Sequence, residues 1–166
     1  MKFDGLAIEI VYKNSVFVQG STRGDGVIGE DVTANLRTIN TIPLRLLKDI
    51  EYIEVRGEVL MDKKSFKSLN EERLKEGLSL FANPRNAASG SIRQLDPDIT
   101  KKRNLIMFAY GIGDYFIKEG KEFKTQFEMM NFLKEAGINI NKNIKVVKGI
   151  SGALNFFNDI SEIRES

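Results

Sequence analysis

The sequence of 166 residues contains neither histidine nor cysteine. These two residue types supply the commonest catalytic bases and nucleophiles, so covalent chemistry in this chain must use lysine, serine, tyrosine or a carboxylate. The absence of cysteine also excludes disulfide bonds and thiolate zinc sites, and it is typical of cytoplasmic proteins.

Long apolar runs are absent too, and Lys2 and Asp4 interrupt the position where a signal peptide would need its apolar stretch. With 25 basic and 23 acidic residues the net charge is only +2, so contacts with nucleic acid must come from local clusters of charge. The length suits one domain with its own core. We expect a soluble, cytoplasmic, monomeric chain with no membrane partner.

Apolar patterning and turn signals predict an α+β fold with an antiparallel sheet. Strands are expected at 6–12, 16–20, 52–60 and 105–112, the first two joined by a turn at Lys13-Asn14. Helices are expected at 30–39, from an Asp62 cap to Gly77, in part of 83–98, from a capping box at Thr125 to Gly137, and from a Ser151 cap onwards. Strand pairs come first and no βαβ rhythm follows, which favours antiparallel pairing.

Helix periodicity also predicts which residues face the core. We expect inward positions at Val32, Leu36 and Ile39, at Phe66, Leu69 and Leu74, and at Leu154, Phe157, Ile160 and Ile163. The phenylalanine-rich last two helices are assigned to the core as a whole.

The string Lys2-Phe3-Asp4-Gly5 precedes the first strand pattern. Alternate residues of an extended chain share a face, so the Asp4 carboxylate can position the Lys2 amine or help hold a metal. Gly5 would let a ligand approach the backbone closely. Lysine is one of the nucleophiles left to this chain, although a lysine and an aspartate at this spacing more often form an ordinary solvated pair.

The string from Gly24 to Gly29 matches the dinucleotide-binding pattern G-x-G-x-x-G. We interpret it instead as a structural turn, because Glu30 and Asp31 would place negative charge where a pyrophosphate needs the positive end of a helix. Arg23 and Asp25 lie in this region beside the lysine strand, and flexible loops often carry ligand contacts.

Glu58, in the string Val55-Arg56-Gly57-Glu58-Val59, can accept hydrogen bonds from ribose hydroxyls or help bind a cation. A β-bulge with solvated charges is an equally good interpretation of this string.

The segment 83–94 places small residues around Arg85 and Arg93. Small residues let the backbone approach a phosphate, and guanidinium groups bind its oxygens bidentately. A solvent-exposed helix with incidental arginines is the alternative.

The string Phe108-Ala109-Tyr110-Gly111 offers an aromatic face for a base, and such stacking contributes roughly 1–3 kcal/mol per base. Strand aromatics are more often core residues.

Five strings in this order resemble the adenylation domain of bacterial NAD-dependent DNA ligases, in the superfamily of lysine-adenylating nucleotidyltransferases. They are KFDGLAI, STRGDGVIGEDVTANLRTI, EVRGEV, FANPRNAASGSIRQLDP and FAYGIG, and together they extend over nearly the whole chain. The resemblance implies a partial nucleotidyltransferase fold, with residues 1–166 as the central part of the adenylation domain.

The resemblance further implies that Lys2 attacks the α-phosphate of NAD, releases nicotinamide mononucleotide and carries AMP. AMP then passes to the 5′-phosphate of a nick in double-stranded DNA, which the 3′-hydroxyl seals. Mg²⁺ is implied beside NAD, with Asp4 and Glu58 as possible ligands. By the same resemblance, Asp4 assists Lys2, Glu58 binds the ribose and Tyr110 stacks on adenine. Nucleotide contacts are implied for Arg23, Arg93 and Arg164. Contacts with DNA or phosphate are implied for Arg23, Arg85 and Arg93.

Several family features are not found in the sequence. They are the acidic residue before the lysine, the nicotinamide-binding N-terminal domain, the D-G-V-V-x-K segment, and the OB-fold, zinc-finger, helix-hairpin-helix and BRCT modules. We therefore expect a fragment of a ligase core, truncated at both ends and with little activity of its own. The alternatives are a non-catalytic AMP- or nick-binding remnant and an ATP-dependent polynucleotide ligase or capping-type nucleotidyltransferase.

Overall fold

The computed structural model describes residues 3–24, 28–120 and 122–165, and antiparallel strands form its centre. The strands are β1 (Leu6–Lys13), β2 (Val16–Thr22), β3 (Tyr52–Leu60) and β4 (Ile106–Phe116). They form one sheet in the order β2-β1-β3-β4. The helices are α1 (Thr33–Leu36), α2 (Lys63–Lys75), α3 (Pro84–Ile92), α4 (Pro97–Lys101), α5 (Gln126–Glu135) and α6 (Gly149–Glu165). The predicted α+β class with an antiparallel sheet is confirmed.

The hairpin between β1 and β2 turns at Asn14-Ser15, one residue later than predicted. Both residues have positive φ, 47° and 64°, as a two-residue turn that matches strand twist requires. The Ser15 hydroxyl donates to the Lys48 carbonyl at 2.9 Å and accepts from the Ile50 N–H at 2.9 Å. The turn is therefore tied to the segment that leads into β3.

One face of the sheet is buried and the other carries polar side chains. Burial alternates along β1 and β3, where Ile8, Ile10, Tyr12, Ile53, Val55 and Val59 belong to the core. The intervening positions include Glu9, Arg56 and Glu58, which are partly or fully exposed. The helices cover the apolar face, and none of the described helices is long and apolar enough to cross a membrane.

Helix α1 is much shorter than the predicted helix over 30–39. The residues before it run beside the edge strand β2, where the Thr22 N–H donates to the Glu30 carbonyl at 3.0 Å and the Val32 N–H donates to the Gly20 carbonyl at 2.9 Å. These groups are used in strand-like pairing and cannot start a helix. The predicted core positions Val32, Leu36 and Ile39 are nevertheless buried.

Helices α2 and α5 begin and end close to the predicted positions. Asp62 caps α2 by accepting from the Ser65 N–H at 2.7 Å, and Thr125 caps α5 by accepting from the Glu128 N–H at 3.1 Å. Gly77 and Gly137 follow the two helices with φ of 71° and 90°. Of the predicted inward residues of α2, Leu69 is buried and Phe66 is partly buried, but Leu74 is exposed.

The segment 83–98 forms two helices, α3 and α4, rather than one short helix. Each starts with a proline behind a capping side chain, Asn83 for α3 and Asp96 for α4. Strand β4 extends to Phe116, four residues beyond its predicted end.

The assignment of the last two helices to the core is only half right. Met130, Phe132 and Leu133 of α5 are buried, as expected. Helix α6 begins at Gly149 instead of after Ser151, and its Leu154 and Phe157 are 57% and 67% exposed. Ile160 is partly buried, and Ile163 lies outside the described side chains. Periodicity shows which residues share a face, but it does not show whether another element covers that face.

A buried polar network holds α1, α3 and α4 together. The Asn35 side-chain amide donates to the Gln94 carbonyl and to the Thr100 hydroxyl, both at 2.8 Å. The Thr100 hydroxyl donates to the Ser91 carbonyl at 2.7 Å. Asn35 thereby bonds both the Gln94 carbonyl just beyond α3 and the buried Thr100 hydroxyl.

We expect Asn35→Ala to lower the free energy of unfolding by about 1–3 kcal/mol, because it removes a donor from the buried Thr100 hydroxyl and from the partly buried Gln94 carbonyl. Urea denaturation measures the change. Asn155→Ala, an exposed position on α6, is the control and should alter stability by less than about 0.5 kcal/mol. Equal small effects in the two variants would contradict the structural role of the network.

Gly57 lets β4 pair closely with β3. A Cβ at Gly57 would lie 2.8 Å from Cε of Met107 and 2.9 Å from the Phe108 carbonyl oxygen. The register of β3 against β4 also shifts here, because Arg56 faces Gly111 and Gly57 faces Ala109. The extra residue is Tyr110 on β4, so the bulge lies opposite this string and not within it. The glycine therefore serves strand packing directly beside Glu58.

Gly57→Ala should destabilise the fold by about 1–3 kcal/mol, because the added methyl collides with the β4 backbone. Gly111→Ala is the matched control on β4, since a Cβ there would meet nothing within 4 Å. Thermal unfolding of the two variants tests the difference, and a Gly57→Ala protein as stable as the control would refute it.

Candidate functional site

A cleft of about 460 Å³ lies on the polar face of the sheet. Its lining includes Glu9 of β1, Arg56 of β3, Arg23 just after β2, and Tyr110 of β4. Alternation along the strands places these side chains on the face opposite the core. The cleft is therefore mainly polar, with one aromatic side chain among charged ones.

Arg56 and Glu9 form an ion pair in the cleft, with 2.9 Å between Nε and Oε2. The hydrogen bond that Arg56 donates to Glu9 is the main cause that raises the pKa of Arg56, so the guanidinium stays charged. Glu9 and Arg56 had no predicted role. A charged residue between Ile8 and Ile10 in an apolar strand was the available signal for Glu9.

Tyr110 presents its ring to the cleft and is 45% exposed. Partial burial is the main cause that raises the pKa of Tyr110, followed by the charge of Glu58, so its phenol is neutral at physiological pH. The neighbouring aromatic residue Phe108 stacks on Phe3 with ring centroids 4.6 Å apart. Of the two aromatic residues in this string, Tyr110 is the one that the cleft offers to a ligand.

Glu58 lies beside the cleft and holds the start of β1. Its Oε1 accepts from the Gly5 N–H at 3.0 Å. The expected role of Gly5 is wrong: the residue is buried, and a Cβ there would collide with the Val59 carbonyl, so its small size admits β3 and not a ligand. Lys2, three residues earlier, lies outside the described residues, as does Asp25.

Two arginines flank α3, Arg85 in its first turn and Arg93 directly after its last residue, and both are paired with carboxylates. Nη1 of Arg85 lies 2.9 Å from Oδ1 of Asp4, and Nε of Arg93 lies 2.5 Å from Oε2 of Glu30. Arg93 also donates to the Ser89 hydroxyl. All four charged side chains are largely exposed.

The small residues of α3 serve packing and not the predicted approach of backbone to phosphate. Ala87, Ala88 and Ser91 are buried, and a Cβ at Gly90 would lie 2.9 Å from the Phe81 ring. This packing sets α3 against β1 and β3. The arginines at the two ends of the helix therefore stand next to the elements that border the cleft.

The structure brings most of the predicted site residues into one region. Arg23 and Tyr110 line the cleft, Glu58 contacts the residue after Asp4, and Arg85 contacts Asp4 itself. Arg164 belongs to α6, and its side chain is outside the described part. Glu30, which pairs with Arg93, was missed, because its partner is 63 residues away and no local pattern marks it.

Tyr110 also borders a second cavity of about 640 Å³. This cavity lies beside β4 and is lined mainly by apolar side chains, among them Phe3, Phe127, Met130, Ile144, Val146 and Phe156. The ring of Tyr110 thus separates a polar cleft from an apolar one.

No group of three or more acidic residues that could hold a metal ion occurs among residues 3–24, 28–120 and 122–165. Mg²⁺ in phosphoryl-transfer sites commonly has one or two carboxylate ligands and takes the rest from phosphate and water. Asp4 and Glu58, near the start of β1, provide two carboxylates of that kind. One oxygen of each is engaged within the protein, Oδ1 of Asp4 by Arg85 and Oε1 of Glu58 by the Gly5 N–H.

The sequence profile described as the NAD-dependent DNA ligase adenylation domain matches residues 1–166. The chain is 52% identical over 163 residues to a DNA ligase of Acetivibrio thermocellus, 50% identical over 166 residues to one of Carboxydothermus hydrogenoformans, and 49% identical over 164 residues to one of Bacillus cytotoxicus. These alignments cover 98%, 100% and 99% of this chain, which spans about 24% of the length of each relative. The chain belongs to the family of NAD-dependent DNA ligase adenylation domains.

Proposed function

We propose that this chain supplies the lysine-adenylating core of an NAD-dependent DNA ligase. The observation that carries the proposal is the convergence of Glu58, Tyr110 and Arg23 on one region next to the start of β1. Lys2 lies four residues before that start in the sequence. In this assignment the protein acts in the cytoplasm as a monomer on nicked double-stranded DNA, during DNA repair and replication.

In the first step, the lone pair of the Lys2 amine attacks the α-phosphorus of NAD. A P–N bond forms, the P–O bond to nicotinamide mononucleotide breaks, and that half leaves with the electron pair of the broken bond. AMP then moves from Lys2 to the 5′-phosphate of the nick, and attack by the 3′-hydroxyl releases AMP and seals the strand. Phosphoryl transfers of this kind depend mostly on positioning and on electrostatic stabilisation.

The described residues supply both kinds of assistance. The hydrogen bond from Gly5 to Glu58 fixes the chain shortly after the nucleophile, and the partly exposed Glu58 carboxylate is an acceptor suited to ribose hydroxyls. The Tyr110 ring can stack on adenine. Positive charge from Arg23 and Arg85 stabilises charge on phosphoryl oxygens and favours the neutral form of a nearby amine. Bound Mg²⁺, held by Asp4 or Glu58, would neutralise further phosphate charge.

Lys2→Arg should abolish adenylate formation in a ligase that contains this segment, because a guanidinium stays protonated and cannot attack phosphorus. Mass spectrometry after incubation with NAD and Mg²⁺ measures the adduct, and incubation with ATP tests the alternative donor. Lys13→Arg, on the exposed end of β1, is the control and should retain the adduct. AMP bound covalently to the Lys2→Arg protein, or an adduct formed from ATP and not from NAD, would contradict the proposal.

Tyr110→Ala should weaken AMP binding by roughly 5- to 160-fold, the loss expected from one stacked base, whereas Tyr110→Phe should change it by less than about twofold. Isothermal titration of the 166-residue chain with AMP compares the variants. The distinction arises because the proposed contact uses the ring face and not the hydroxyl. Equal losses in the two variants would show that the hydroxyl makes the important contact.

A further inference from the structure

Glu30 is held in place by its backbone, and its side chain reaches a different part of the fold. Its N–H donates to the Thr22 hydroxyl at 3.0 Å, and its carbonyl accepts from the Thr22 N–H at 3.0 Å. Its carboxylate contacts Arg93 at the end of α3, with Nε and Oε2 2.5 Å apart. The preceding residue, Gly29, lines the polar cleft. The residue that pairs with Arg93 therefore directly follows, in the chain, a residue of the cleft lining.

The pairing of Arg93 has a counterpart at the other end of α3, where Arg85 contacts Asp4 at 2.9 Å. In both cases an arginine at one end of α3 forms an ion pair with a carboxylate from outside the helix. Asp4 lies just before β1, and Glu30 follows Gly29 of the cleft lining. A guanidinium binds a carboxylate and a phosphate through the same fork of N–H donors. Each carboxylate thus occupies donors that a phosphate would use.

The charge of the incoming phosphate decides whether the exchange is favourable. A phosphodiester carries one negative charge, the same as the Glu30 carboxylate, and a tethered group competes at high effective concentration. A terminal phosphate monoester carries about −1.5 to −2 charges at pH 7. Because the side chains of Arg93 and Glu30 are 42% and 58% exposed, their pair is weak enough for a dianion to displace.

We propose that Glu30 is a specificity-determining residue, whose carboxylate occupies Arg93 so that a terminal phosphate displaces it and an internal phosphodiester does not. The inference rests on the proposed function and on the phosphate contact that the family resemblance implies for Arg93, here taken to be with the phosphate at the nick. Glu30 thereby directs the site to the 5′-phosphate that the reaction uses, in preference to the many diesters of the duplex.

The test compares two nicked duplexes that differ only in a 5′-phosphate or a 5′-hydroxyl at the nick. Fluorescence anisotropy at fixed ionic strength gives their dissociation constants for the wild-type chain, for Glu30→Gln and for Glu72→Gln. Glu72 is the matched control, since it forms a similar exposed pair with Arg103 at 3.3 Å. We expect the wild type to bind the phosphorylated nick more tightly than the hydroxyl nick. In Glu30→Gln the ratio of the two dissociation constants should fall at least about threefold, because the variant binds the hydroxyl nick more tightly. In Glu72→Gln the ratio should stay unchanged.

An unchanged preference in Glu30→Gln overturns the inference, as does a wild-type chain that binds the two duplexes equally or binds neither. Equal loss of preference in Glu72→Gln overturns it as well, because a general effect of surface charge would then be the cause. Adenylation of Lys2 by NAD, measured without DNA in a ligase that contains this segment, tests the proposed function separately. A chain that is adenylated but shows no role for Glu30 thus refutes the inference alone.

Discussion

The close approach of β3 to the start of β1 is the constraint on which the candidate site depends. Gly5 makes room for the Val59 carbonyl and donates its N–H to Glu58, while Gly57 makes room for the backbone of β4 on the other side of β3. Side chains at these two positions would push the three strands apart. Asp4 lies just before β1, Glu58 lies on β3 and Tyr110 lies on β4. They can belong to one site because Gly5 and Gly57, which have no side chain, let these strands pair closely.

The position of α3 depends on a second set of contacts, which are polar and buried. Asn35 links the short helix α1 to the Gln94 carbonyl and to Thr100, and Thr100 links to Ser91. The same stretch of chain begins with Glu30, which is paired to Thr22 at the end of β2. The edge of the sheet, the stretch from Glu30 to Leu36 and the end of α3 therefore form one connected unit. This unit brings Arg93 to Glu30, the residue that follows Gly29 of the cleft lining.

The sequence was sufficient to predict features that depend on neighbouring residues. Local patterns predict the strands and the helix caps at Asp62 and Thr125. They also predict the burial of Leu36 and Leu69. Features that depend on distant residues were not predictable in the same way. Glu30 to Val32 pair with β2 instead of starting a helix, the apolar face of α6 is exposed, and Arg93 meets Glu30 across 63 residues. For the candidate site, motifs identified Tyr110, Arg23 and Glu58, whereas only the fold shows that Arg56, Arg85 and Arg93 each have a carboxylate partner.

These three ion pairs explain how the region can carry several arginines before any ligand binds. Neighbouring guanidinium groups repel one another, and Glu9, Asp4 and Glu30 reduce that repulsion. All three pairs are partly or largely exposed, so each contributes little to stability and costs little to separate. Binding of a phosphate ligand then becomes an exchange of one anion for another, and its free energy depends on the difference in charge and geometry between phosphate and carboxylate. A chain with a net charge of only +2 can in this way favour particular phosphate groups without attracting every polyanion.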